Sequence, residues 1–81
     1  MNQPEQPNEF DGAHHEVGLS EEALWVRYFA LGGVAMPAEF EAFLAGALEP
    51  NPGEHDVLAH ALNERSIEIG SERRWTYSDN S

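Results

Sequence analysis

Neither cysteine nor lysine occurs in this sequence. Without cysteine there are no disulfides, no thiolate metal sites and no thiol nucleophiles. Without lysine, four arginines stand alone against 15 aspartates and glutamates, for a net charge of −11. A nucleic-acid binder needs cations to displace counterions from phosphates, so direct nucleic-acid binding is not expected. Anionic membrane surfaces are disfavoured for the same reason. Long apolar runs are also missing; none approaches the roughly 20 residues that span a bilayer. The opening residues M-N-Q-P-E-Q-P-N-E-F hold no basic cluster and no apolar run, so no secretory leader is expected. Together these absences predict a cytoplasmic protein.

What remains is acid spread over the chain. Residues 1–18 carry −4, residues 19–70 carry −7, and residues 71–81 balance to zero. Such an excess keeps a protein soluble. It also steers a basic protein toward it. Arginine in place of lysine, with many alanines and glycines, is the composition of a GC-rich genome, and a bacterial source is expected.

The length of 81 residues allows one small domain. The pattern predicts an all-α fold: a three-helix domain over residues 19–70, with helices at about 20–31, 37–48 and 52–69. Ser20 before Glu21 and Glu22 is an N-cap with acids in the first turn, and Leu19 with Leu24 can staple it. Gly32-Gly33 ends that helix. Pro37 suits the first position of the second helix. Asn51-Pro52-Gly53-Glu54 is a cap, a first-position proline and a glutamate three residues on. Helical spacing predicts a core of Leu24, Tyr28, Phe29, Leu31, Phe40, Phe43, Leu44, Leu48, Leu58, Ala61 and Leu62. His60, Asn63, Glu64 and Ile67 fall on the other face of the third helix, where Asp56 and His60 can pair. Residues 1–18, rich in Pro, Asn, Gln and Glu, read as a disordered acidic tail. Residues 71–81 read as a flexible tail, dispensable for folding, although Trp75 and Tyr77 are large for a free end.

G-V-A followed by F-E-A-F-L-A-G, L-E-P-N-P and D-V-L-A-H-A-L-N resembles a phage-repressor-type helix-turn-helix domain over about half the chain. The resemblance implies Gly33-Val34 at the turn. It puts Phe40, Phe43 and Gly46 on the recognition helix and at its terminating glycine, and Leu58-Ala59-His60-Ala61-Leu62 on the next helix. That family reads bases with polar side chains at the start of its recognition helix. Here those positions hold Met36, Pro37, Ala38, Glu39 and Glu41, none a donor. The resemblance therefore implies a scaffold that has lost DNA binding and serves protein contacts.

Three classes of function follow. The first is a small non-enzymatic regulator that binds a basic surface of another protein, such as a transcription or sigma factor, in competition with DNA. Its expected binding residues are Trp25, Glu39, Glu41, Glu54, Asp56, His60, Glu64, Ile67 and Trp75, with Glu49 and Glu68 extending the acidic surface. The second is self-assembly, at its simplest a homodimer, because so small a core gains from a partner subunit. The third is an enzyme, with chemistry limited to His55, Asp56, His60 and Glu64 and no expected pocket. A metal site from Asp56, His60 and Glu64 lacks a fourth ligand, and His14-His15 has no residues nearby to complete one. Neither cofactor nor metal is expected.

Overall fold

A computed structural model describes residues 9–78, and these form α-helices and connecting segments without strands. The helices are α1 (Ala13–Glu16), α2 (Glu21–Ala30), α3 (Pro37–Leu44) and α4 (Pro52–Glu68). The short α1 is additional to the three helices expected. The two polar caps act as their chemistry dictates. Ser20 accepts from the Ala23 N–H at 3.0 Å, and Asn51 accepts from the Glu54 N–H at 3.0 Å.

The second expected helix stops four residues early. Gly46 takes φ +76°, which a glycine adopts without steric cost, and the Ala45, Gly46 and Ala47 N–H groups turn back onto the carbonyls of Glu41, Phe43 and Ala42. Leu48 thereby leaves the apolar row and is exposed. Phe29 and Leu31 are exposed as well, because the buried face of α2 is only as wide as Leu24 and Tyr28. The other expected core residues are buried.

The largest departures are at the two ends. Residues 9–18, expected to be disordered, contribute Phe10, Ala13 and Val17 to the core, each 1% exposed or less. Their order comes from tertiary contacts. The Gly12 N–H donates to the Leu44 carbonyl at the end of α3, and Phe10 meets the His55 ring edge-on at 4.8 Å. The expectation of disorder over residues 1–8 lies outside the described residues.

Residues 71–78, expected to be a flexible tail, are docked. Trp75 is 1% exposed. Its N–H donates to Asn63 Oδ1 at 2.7 Å, and Asn63 Nδ2 donates back to its carbonyl at 3.0 Å. Its indole N–H reaches the Glu9 carbonyl at 3.1 Å, so the two ends meet across α4. Ser66 Oγ, fully buried, donates to the Arg73 carbonyl at 2.6 Å. Helix α4 is therefore buried on two sides. Leu58, Ala61 and Leu62 carry the expected face, while Ala59, Asn63 and Ser66 are also enclosed. Asn63 belongs inside, not on the outer face expected for it. Residues 79–81 of the expected tail lie outside the described residues.

Tyr28 ties the middle of the fold together. Its hydroxyl donates to the Glu54 carboxylate and accepts from the Ala35 N–H at 2.7 Å. Burial first, and then the bond to Glu54, push this hydroxyl up from 10.0 to about 12. The folded protein thus keeps a proton that the unfolded chain releases. The resulting stability is complete below pH 10.0 and is lost as pH rises through about 12. Thermal melts between those limits should show falling stability in the parent and a flatter profile in Tyr28→Phe. An equal fall in both proteins would remove Tyr28 as the cause.

Candidate functional site

A concave surface runs between α2 and α3. Trp25 and Val26 form its α2 wall, and Pro37, Ala38 and Phe40 form its α3 wall. Glu21, Glu22 and Glu41 rim it, around a volume of about 520 Å³ that is open on one side. Helix geometry explains the arrangement. Leu24 and Tyr28 point into the core, so Trp25 and Val26 turn toward the flank of α2. Pro37 starts α3 beside them, because its missing N–H costs nothing in the first turn. Trp25 is fixed by its indole N–H, which donates to the Ala35 carbonyl at 2.9 Å. Phe29 stacks on it at 5.0 Å with its own ring half exposed.

The electrostatics of the groove have one sign. Glu22 and Glu41 are exposed, and no basic side chain among the described residues lies within ion-pair distance of either. Glu21 has only His14, 3.9 Å away. All four arginines are engaged elsewhere. Arg27 makes a two-pronged pair with Glu68 at 2.8 and 2.9 Å. That pairing raises the Arg27 pKa and lowers that of Glu68. Arg65 donates to the Val17 carbonyl at 3.1 Å and also faces Glu68. Arg73 pairs with Glu16 at 2.9 Å and lies over the Trp75 ring at 4.0 Å. Arg74 donates to the Ser71 and Arg73 carbonyls at 2.8 and 2.9 Å.

The expected binding residues do not form one surface. Trp25 and Glu41 meet in the groove just described. Glu39 and Glu54 line a second, smaller depression with Val34, Phe43, Leu48 and Pro50. Glu54 is drawn inward there by Tyr28 and by the Val34 N–H at 3.1 Å, so it is part of the framework. Asp56 does not pair with His60. It accepts from the Ser78 N–H at 2.6 Å and the Ser78 hydroxyl at 3.1 Å. His60 instead faces Glu64 at 3.3 Å on the outside of α4, and its Nδ1 lies 3.3 Å from the Tyr77 hydroxyl. Ile67 is exposed farther along that helix. Trp75 is a core residue and offers no surface. Among the described residues, no three His, Asp or Glu side chains are grouped to hold a metal, and no helix is long and apolar enough to cross a membrane.

Glu21, Glu22, Val26, Pro37 and Ala38 were not among the expected binding residues. Val26 carried a usable signal: it is a large apolar residue off the Leu24/Tyr28 stripe. Glu21 and Glu22 read as first-turn acids, which is equally true of them.

The comparisons with known proteins return nothing: no family model, no curated protein and no solved structure matches this chain.

Proposed function

We propose that this chain is a small non-enzymatic regulator that binds a basic protein surface, one that otherwise contacts DNA, as on a transcription or sigma factor. The observation that carries this reading is the internal use of every arginine. The four arginines all serve intramolecular bonds, whereas Glu22, Glu39, Glu41 and Glu49 are exposed with no cation paired to them among the described residues. The α2–α3 side of the surface is therefore negative, suited to a partner rich in lysine and arginine, while the exposed cations Arg73 and Arg74 lie in the C-terminal segment. With a net charge of −11 the chain is poorly suited to displace phosphate counterions, so control of transcription would run through a protein. The helix-turn-helix resemblance fits this reading as a scaffold. Its recognition helix would correspond to α3, whose first turn offers proline, alanine and glutamate in place of base-reading donors.

The test is capture from cells at low salt, followed by competition. The expected result is a partner that binds duplex DNA by itself and that DNA displaces from this chain. Raising salt should weaken the capture, as screening shortens the field to about 8–10 Å and below. A captured partner that holds this chain and duplex DNA at once would overturn the competing role.

A further inference from the structure

The groove between α2 and α3 has an apolar floor, an acidic rim and an open side. We infer that it is the docking site for one amphipathic, arginine- or lysine-bearing helix of a partner protein, a proposal that rests on the protein-binding reading above. Three observations lead there. First, Val26, beside Trp25 on the α2 wall, is 56% exposed, so the groove holds an apolar side chain that nothing in the fold covers. Second, Glu22 and Glu41 stand on opposite walls, one on α2 and one on α3, with no cation paired to either among the described residues. A helix laid between the walls meets a carboxylate on each side. Third, the walls are helices, with no strand edge among the described residues, so an incoming segment finds side chains and no backbone template for strand addition.

The open side argues against a small molecule, which needs most of its surface enclosed. The rim excludes a phosphate-bearing ligand. A helix that spaces apolar anchors at i, i+4 and i+7 fills a groove between two helices, and its flanking cations then reach the rim. The anchors govern how long the complex lasts, while the rim charges govern how fast it forms.

The probe is a synthetic peptide of about 18 residues, long enough for such anchors, with leucines at i, i+4, i+7 and i+11 and lysines and arginines beside them. It carries no tryptophan, so a change in emission on titration reports the protein's indoles, with Trp25 in the groove and Trp75 buried. Binding to the full chain at about 50 mM salt should fall at least about tenfold in Glu22→Arg/Glu41→Arg, mainly through slower association. The same peptide with glutamate at its basic positions should bind at least about tenfold more weakly to the parent. Val26→Asp should weaken binding mainly through faster dissociation. Ile67→Ala, on α4, should bind like the parent. All four side chains changed are exposed, and a melt of each variant checks the fold. Equal binding by the parent and both groove variants would overturn the site. A dimer in sedimentation that Val26→Asp separates would also overturn it, by making a second copy the occupant. If the peptide binds as expected but no captured partner competes with DNA, the docking site stands and the regulatory role falls. If a DNA-competed partner binds all groove variants equally, the role stands and the docking site falls.

Discussion

A chain cut to residues 18–71 should not fold, despite holding α2, α3 and α4 whole. The cut removes Phe10, Ala13, Val17 and Trp75, all 1% exposed or less. Truncating one buried tryptophan to alanine alone costs about 3–5 kcal/mol. A domain's whole stability is roughly 5–15 kcal/mol, and small domains sit low in that range. The cut also strips Asn63 of Trp75 and leaves Ser66 with only its long 3.5 Å contact to the Ser71 carbonyl. Each buried polar group left unpaired costs about 1–3 kcal/mol more. Circular dichroism of the cut chain should show weak helicity and no cooperative melt. The point variant Trp75→Ala in the full chain should lower stability by about 3–5 kcal/mol. A cut chain that melts cooperatively near the parent's temperature would show that the two ends only decorate a self-sufficient three-helix core.

Gly33→Ala should be the most damaging single methyl in the protein. A Cβ at Gly33 would be built into the Tyr28 ring, overlapping Cζ, Cε1 and Cε2. The ring cannot simply swing away. Its hydroxyl is held by Glu54 and the Ala35 N–H, and its face packs on Phe40 at 4.9 Å. Moving it breaks those buried bonds, at about 1–3 kcal/mol each, on top of about 1–3 kcal/mol for overpacking. A loss of roughly 3 kcal/mol or more is expected. Gly32→Ala is the comparison. It sits at φ +104° with open space around it, so it carries only backbone strain, on the order of 1–2 kcal/mol. Combining Gly33→Ala with Tyr28→Leu should cost less than the two singles added, because the clash is then gone. Strict additivity in that cycle would place the damage outside the Tyr28 contact.

Helix type and the polar caps were legible in the sequence because their causes are local. Ser20 and Asn51 bond the N–H groups three residues on, and the apolar rows of α2, α3 and α4 follow from 3.6-residue spacing. The acid excess was equally plain, being a property of composition. Gly46 marks the limit of such reasoning. Its residue type is compatible with a helix interior or a helix stop, and only the bonds back to Ala42 and Phe43 make it a stop.

The candidate site was half legible. Trp25 and Glu41 were readable as an aromatic and an acid off the expected core, yet nothing in residue order says that they face one another across a groove. That depends on how α3 packs against α2, where the Tyr28 ring meets Phe40 at 4.9 Å and its hydroxyl holds the Ala35 N–H in the link between the helices.

By itself the sequence determined where α2, α3 and α4 start, that they are helices, and that the net charge is negative, because each rests on neighbours within one turn or on a sum over residues. Tertiary structure alone decided that residues 9–18 and 71–78 are core. Phe10 and Trp75 are too sparse in their own segments to offset chain entropy there, and they gain burial against the rest of the fold, Phe10 beside His55 and Trp75 beside Asn63. It also decided that Asn63 and Ser66 lie inside, since a polar residue on a helix reads as solvated until its partner arrives from elsewhere in the chain.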